Sequence, residues 1–180
     1  MIRLTKSRPT KSAREAAVDC LSRRALTYCE LETRLTEKGY ESAEVEGVLR
    51  RLLEMGYLND QELALTFSKD RLQRYSRRRV QQDLRNRGLE PELIEQALGS
   101  TYSGDAELLQ CLTLAKRWWV QEGKHWDQRV HQDKTKKSLP RELWLQQKIA
   151  RKLVQRGYPS IMVQNVLYQI QTINNEDANA

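Results

Sequence analysis

Residues 69–87 of this 180-residue chain carry eight bases, Lys69, Arg71, Arg74, Arg77, Arg78, Arg79, Arg85 and Arg87, against only Asp70 and Asp83. Residues 116–156 carry twelve bases against four acids. Guanidinium and ammonium groups at that density suit one kind of chemistry. They bind a polyanion through its phosphates, with an affinity that falls as salt rises. Residues 30–62 have the opposite character, with nine acids against four bases. In the first basic run Val80 and Leu84 are four apart and form an inward stripe, which leaves the arginines between Arg77 and Arg87 outside. Ile149 and Leu153 do the same for their neighbours. The candidate DNA- or partner-binding face is therefore Arg71, Arg74, Arg77, Arg78, Arg85, Arg87, Lys148, Arg151, Lys152 and Arg156. A lone basic helix is more often a solvated face than a binding face. Here two basic runs share the same helix of a repeated unit, so stacking could align them into one strip.

Other chemistry finds few candidates. His125 and His131 lie in a polar stretch away from any cysteine, which suits exposed loop histidines better than a zinc site. Cys20, Cys29 and Cys111 are odd in number and lack CxxC spacing, as expected of reduced thiols in a cytoplasmic protein. No phosphate-loop, dinucleotide, nucleophile-elbow or zinc-protease motif occurs. One of Trp118 and Trp119 is expected in the core, and Trp126 and Trp144 in helix packing, ahead of a base-stacking role. The expectation is a protein with no catalytic residues, no cofactor and no metal. No apolar run approaches the ~20 residues of a membrane span, and Met1 to Ser12 lacks the apolar stretch of a secretory signal.

The elements that must hold the basic residues follow from three glycines. Eight residues before Gly39, Gly88 and Gly157 stand Leu31, Val80 and Ile149; four before stand Leu35, Leu84 and Leu153. One after stand Tyr40, Leu89 and Tyr158; six after stand Val45, Ile94 and Val163. Val48-Leu49, Ala97-Leu98 and Val166-Leu167 complete the frame. The apolar pair before each glycine is a helical stripe. The glycine supplies the left-handed residue that ends the helix, and the apolar residue after it folds back. Ser42, Pro91 and Pro159 stand where the next helix begins. A further helix precedes each pair. These are 12–26, with Ala16, Ala17, Cys20, Leu21 and Ala25 inward; 59–75, with Asn59 as N-cap and Leu63, Phe67 and Leu72 inward; and 104–122, with Leu108, Leu109, Leu112 and Ala115 inward.

The reading is all-α: three tandem three-helix repeats in an elongated, curved array, each unit covering its neighbour's apolar edge. With only 39% hydrophobic residues, thin cores fit better than one large one. The boundaries are a flexible basic N-terminus 1–11, repeat 1 at 12–58, repeat 2 at 59–100, repeat 3 at 101–172 and a flexible tail 173–180. The glycine spacing widens from 49 to 69 residues between the second and third frames. The excess falls in a polar insert, 123–140, read as a loop or a lengthened helix pair.

"MGYLNDQELALTFSKDRL" from Met55 to Leu72, then "VQQDLRNRGLEPELIEQAL", resembles the hallmark of the RecX family, bacterial regulators of the recombinase RecA. "ELETRLTEKGY" and "KIARKLVQRGYPSIMVQNVL" agree in order and spacing, so the resemblance extends from about Ala13 to Ile170. It implies three three-helix units lodged along the helical groove of a RecA filament on single-stranded DNA. It also implies limits on filament growth, ATP hydrolysis, strand exchange and co-protease activity, and a place in recombination, DNA repair and the SOS response. Arg71 matches a family position; the other arginines match a basic tendency. The chain departs at Tyr75-Ser76-Arg77, where the family often has glycine, and in its longer insert.

The first reading is thus a non-enzymatic, monomeric modulator of the RecA filament with weak, sequence-independent affinity for single-stranded and double-stranded DNA. The alternative is a helix-turn-helix-like DNA-binding protein or repressor. That would need one base-reading helix and usually dimer symmetry, whereas faces dense in Arg and Lys suit phosphate contact.

Overall fold

The computed structural model describes residues 10–132 and 140–179. Among the described residues there are nine helices and no strand. They are α1 (Ala13–Leu21), α2 (Tyr28–Glu37), α3 (Ser42–Glu54), α4 (Asp60–Leu72), α5 (Arg77–Asn86), α6 (Pro91–Thr101), α7 (Gly104–Gln132), α8 (Arg141–Gln155) and α9 (Ser160–Asn179). No described helix is long and apolar enough to cross a membrane.

The glycine frame is realised three times over. Gly39, Gly88 and Gly157 have φ of 93°, 76° and 89°. In each case the following residue donates its N–H to the carbonyl four before the glycine: Tyr40 to Leu35 (3.3 Å), Leu89 to Leu84 (3.3 Å) and Tyr158 to Leu153 (3.2 Å). This closure satisfies carbonyls that a helix end leaves open, and the buried Tyr40, Leu89 and Tyr158 seal it with apolar surface. A fourth left-handed glycine, Gly56 (φ 75°), ends α3 in the same way. The helix starts are capped as locally as they are stopped. Ser12 with Glu15, and Thr27 with Glu30, form reciprocal capping boxes, and the Asn59 side chain accepts from Glu62 N at 2.9 Å.

By its packing the chain divides into two compact units. The first comprises residues up to Ser68 together with Gln81–Leu98; the second comprises Lys69–Val80 together with Gly99 onward. Helices α4 and α5 therefore each contribute to both. In the first unit α1, α2 and α3 enclose Ala16, Leu31, Leu35, Val45, Leu49 and Leu58. In the second unit α7, α8 and α9 enclose Cys111, Trp118, Ile149, Leu153, Val166 and Ile170.

The expected inward faces need correction in all three leading helices. Helix α1 stops at Leu21, so Ala25 is exposed and Leu26 is buried instead. In α4 the fully buried positions are the small Ala64 and Ser68, with Leu63, Phe67 and Leu72 only half-buried. In α7 Leu108 and Leu109 are exposed, and the inward stripe is Cys111, Leu114, Ala115 and Trp118. That stripe keeps a three-four spacing, but its phase differs from the one the leucines near the helix start suggest. Helix α7 continues to Gln132, so residues 123–132 of the insert are helical, while 133–139 lie outside the described residues. Residues 173–179 continue α9, and the expected flexible residues 1–9 also lie outside the described set.

Candidate interaction surface and the joints that hold it

The ten candidate basic residues do not share one environment. Arg74, Arg78, Arg85, Lys148 and Arg151 are exposed. Arg71, Arg77, Arg87, Lys152 and Arg156 are half-buried, contrary to their expected outward position. Arg85 and Arg87 belong to the first unit and the other eight to the second. The outward ones are where the stripe argument puts them. The half-buried ones are drawn in by specific partners, which the spacing of apolar residues alone cannot show.

Arg87 and Arg156, each just before its glycine, do equivalent work in the two units. Arg87 donates through Nε to Glu30 Oε1 (3.1 Å) and through Nη2 to Glu30 Oε2 (2.8 Å). Nη2 also reaches the Ala25 carbonyl at 3.1 Å, and the guanidinium lies 5.4 Å from the centre of the Phe67 ring. Its own carbonyl accepts from Thr27 Oγ1 at 2.7 Å. Thr27 is the fully buried N-cap of α2. Burial alone would raise the Glu30 carboxyl, but the Arg87 guanidinium and the Thr27 N–H outweigh it and hold the group below the usual carboxylate range.

The second unit repeats this arrangement. Arg156 Nη1 donates to the Arg74 carbonyl at 3.0 Å, and the guanidinium covers Trp118 at 4.6 Å and Tyr75 at 5.7 Å. The Arg156 carbonyl accepts from the backbone N–H of Ser76 at 3.1 Å. Ser76 is fully buried, and its hydroxyl accepts from Arg79 N at 3.2 Å at the head of α5. A carboxylate completes each joint. Tyr28 N, at the head of α2, donates to Asp60 Oδ1 (3.0 Å), and Arg77 N, at the head of α5, donates to Glu107 Oε1 (2.8 Å). Both carboxylates come from the first turn of the next leading helix.

The glycines matter twice here. A Cβ on Gly88 would stand 2.6 Å from Cys29 Cβ and Sγ. On Gly157 it would stand 2.6 Å from Ser76 Oγ and 2.7 Å from Arg79 Cβ. The loop backbone can reach the neighbouring helix head only without a side chain.

These joints have a signature in the sequence. Thr27 and Ser76 both stand twelve before their glycines, and Arg87 and Arg156 both stand one before theirs. The third frame has Leu145 in place of the hydroxyl, and the first has Lys38 in place of the arginine.

On α8, Lys148 and Lys152 converge on Glu122 of α7, which is 4% exposed. Lys152 Nζ is hydrogen-bonded to Glu122 Oε1, and Lys148 Nζ stands 3.4 Å from Oε2, with His125 Nδ1 3.8 Å away. Burial pushes the Glu122 carboxyl up, and the two lysines more than reverse it, holding the group below the usual carboxylate range. Lys148 also lies over Trp144 at 4.8 Å, and Lys152 over Trp118 at 5.3 Å. Arg71 lies over Tyr75 at 5.1 Å. Trp118 is thus the core tryptophan of its adjacent pair, and Trp126 and Trp144 pack on each other at 5.0 Å. Burial also pushes the Cys111 thiol up to about 12, which keeps it protonated and unreactive.

The two units differ sharply in charge. The described part of the first, residues 10–68 and 81–98, has ten bases and fifteen acids, a net of −5. The described part of the second, residues 69–80, 99–132 and 140–179, has fifteen bases and eight acids, a net of +7. The basic side chains left facing solvent in the second unit are suited to phosphates, which position a nucleic acid without reading its sequence.

Comparison with known proteins points one way. A family model described as the first three-helix domain of RecX matches residues 13–52, and one described as its second three-helix domain matches residues 59–98. The regulatory protein RecX of Trichlorobacter lovleyi is 34% identical over 104 residues, covering 57% of this chain and 68% of that protein. That of Deinococcus radiodurans is 38% identical over 102 residues, covering 57% and 49%. That of Caldanaerobacter subterraneus is 35% identical over 99 residues, covering 54% and 50%. The chain spans about half the length of these last two relatives. A crystal structure of RecX from Lactobacillus salivarius matches with a TM-score of 0.64 at 18% identity, over 89% of this chain and 95% of that one, which shows the shared fold.

Proposed function

The chain belongs to the RecX family, and on that premise we propose that it is a non-enzymatic modulator of the recombinase RecA. In this reading it binds RecA filaments on single-stranded DNA in the cytoplasm and limits their assembly, ATP hydrolysis and strand exchange. The observation that carries the reading is the charge division between the two compact units, −5 against +7 in their described parts. A ligand that is part nucleic acid and part protein offers both an anionic backbone and protein surface. The exposed Arg74, Arg78, Lys148 and Arg151 of the second unit suit the phosphates. Arg156, engaged in its joint, serves the proposal by fixing the head of α5, beside which Arg74 and Arg78 stand.

The test is RecA-catalysed ATP hydrolysis on single-stranded DNA, with this protein titrated far below the RecA concentration. Inhibition that does not depend on DNA sequence supports the reading. Failure to inhibit, together with tight binding to one duplex sequence, would replace it with a sequence-specific repressor.

A further inference from the structure

Gly56 ends α3 with the same left-handed stop as Gly39, Gly88 and Gly157, yet its neighbours are treated differently: Leu58, two after the glycine, donates a second bond to Leu52 O at 3.3 Å and is the buried residue of the turn. The residue after each of the other three glycines is buried: Tyr40 at 9%, Leu89 at 5% and Tyr158 at 3%. There the apolar side chain folds back and seals the helix end. Tyr57 occupies the same position after Gly56 and donates the same backbone bond, to Leu52 O at 2.9 Å, but is 65% exposed. The residue before the glycine is Lys38, Arg87 or Arg156 in the other three turns. Here it is Met55, 52% exposed. Leu53 adds a third exposed apolar side chain on the last turn of α3. The buried face of α3, Val45, Leu49 and Leu52, is complete without any of them. A Cβ at Gly56 would meet nothing within 4 Å, so no close packing accounts for this turn. Three internal copies of one motif thus serve as controls, and only the fourth turns a tyrosine and a methionine outward.

We propose that Leu53, Met55 and Tyr57 form a docking knuckle that inserts into an apolar pocket with a basic rim on a protein partner. Tyr and Met are enriched at the centres of protein interfaces, where a few buried anchors carry most of the binding energy. The charge of the surroundings selects the partner's chemistry. The knuckle sits on the unit whose described part has a net charge of −5; beside it the exposed Glu54 is matched by the exposed Arg51, and Arg50 is paired with Glu46, so the attraction comes from the unit as a whole. Nucleic acid and anionic lipid are repelled by that field, while a basic protein rim is attracted. A three-residue knuckle is too small to be a standard interface of ~1,600 Å² by itself. It fits as the anchor of a wider interface, with the basic unit engaging separately. On the function proposed above, the partner is the protein surface of the RecA filament.

The experiment compares full-length wild type with a Met55→Ser, Tyr57→Ser double variant and with Tyr57→Phe. Binding to RecA filaments on single-stranded DNA is measured by fluorescence anisotropy at low and physiological salt, alongside ATPase inhibition and binding to bare DNA. Circular dichroism melts check that each variant is folded. The expected result is at least tenfold weaker filament binding for the double variant, equally at both salts because an apolar anchor is not screened. Bare-DNA affinity is unchanged and Tyr57→Phe retains binding. If wild type inhibits and the double variant inhibits equally, the knuckle is refuted and the proposed function stands. If wild type itself neither binds nor inhibits filaments, the proposed function falls and this inference falls with it. If sedimentation shows wild type self-associating through the knuckle while the double variant is monomeric and still inhibits, the occupant is a second copy and the partner named here is wrong.

Discussion

Replacing Arg87 with alanine should destabilise the first unit far more than removal of a surface cation would. The side chains of Arg87 and Glu30 are 16% and 18% exposed, and the pair is held by two forked bonds of 2.8 and 3.1 Å. A third bond runs to Ala25 O, and the ring face of Phe67 covers the guanidinium. An exposed pair contributes ~0–1 kcal/mol, whereas stripping one partner from a buried pair costs ~3–5 kcal/mol. With both groups mostly but not wholly shielded, ~2–3 kcal/mol is expected for Arg87→Ala, or a fall in melting temperature on the order of 10 °C for a unit of this size. Lysine at the same place keeps the charge and loses the fork, so Arg87→Lys should fall between the two.

The acid dependence gives a second, independent reading of the same pair. Because the Glu30 carboxyl is held below its unfolded value, its contribution is complete above the unfolded pKa and is lost as pH falls through the folded one. The gap between wild type and Arg87→Ala should therefore narrow as pH drops below ~4. Thermal unfolding followed by circular dichroism at pH 7 and at pH 3 measures both effects. A double-mutant cycle with Glu30→Gln isolates the pair. A melting temperature within ~2 °C of wild type at pH 7, with no coupling in the cycle, would show Arg87 to be a solvated surface residue and would refute the joint.

The remaining expectations concern the glycines, the exposed arginines and the buried carboxylate. Gly56→Ala meets open space and carries only the left-handed backbone cost of ~1–2 kcal/mol, whereas Gly88→Ala and Gly157→Ala add the 2.6 Å overlaps with Cys29 and Ser76 and should unfold at clearly lower denaturant. Equal midpoints for the three would show that the loops do not touch the helix heads. Combined alanine replacement of Arg74, Arg78 and Arg151 should leave the melting temperature nearly unchanged. On bare single-stranded DNA it should reduce the slope of log affinity against log salt by ~0.7 for each phosphate no longer neutralised; an unchanged slope would mean that these arginines only face water. Glu122→Gln should destabilise the second unit by ~1–2 kcal/mol, since it leaves the partly exposed Lys148 and Lys152 facing one another without a carboxylate, and differential calorimetry would show the effect.

The glycine frame was legible because it rests on local rules: a left-handed stop, an apolar residue after it, and stripes three and four apart on either side. Those rules fix residues such as Leu84, Gly88 and Leu89 whatever the rest of the chain does. The phase of α7 was not legible in the same way. Its leucines at 108 and 109 lie outside the stripe, and only packing against α8 and α9 selects Cys111, Leu114 and Trp118 as the inward face. The basic residues escaped for a different reason. Spacing distinguishes inward from outward, but not a solvated arginine from one that lies flat on a ring and donates to a distant carbonyl, as Arg156 does. The pairing of a hydroxyl in the first two frames with an arginine in the last two was present in the sequence. Reading it required comparing frames by what each lacks: Leu145 in place of the hydroxyl in the third, Lys38 in place of the arginine in the first.

That pattern bears on how a small-cored chain stays folded while leaving so much charge outside. Each joint places a buried hydroxyl, a cation and a first-turn carboxylate around one helix head, and satisfies backbone groups that α2 and α5 would otherwise expose. Thr27 and Ser76 carry little apolar surface, so the joint is polar and directional. It fixes the orientation of a helix start more tightly than a smooth apolar surface would. The exposed Arg74 and Arg78 flank the head of α5, and the Arg74 carbonyl is itself a joint acceptor for Arg156. On the proposed function, a side chain that meets phosphate is mounted on backbone that the joint has already ordered, which lowers the entropy given up on binding. On the same reading Arg156 acts through the joint rather than by meeting phosphate itself, and substitutions at Arg156 and at Arg78 should be separable. The first should lower stability and binding together, and the second should lower binding alone.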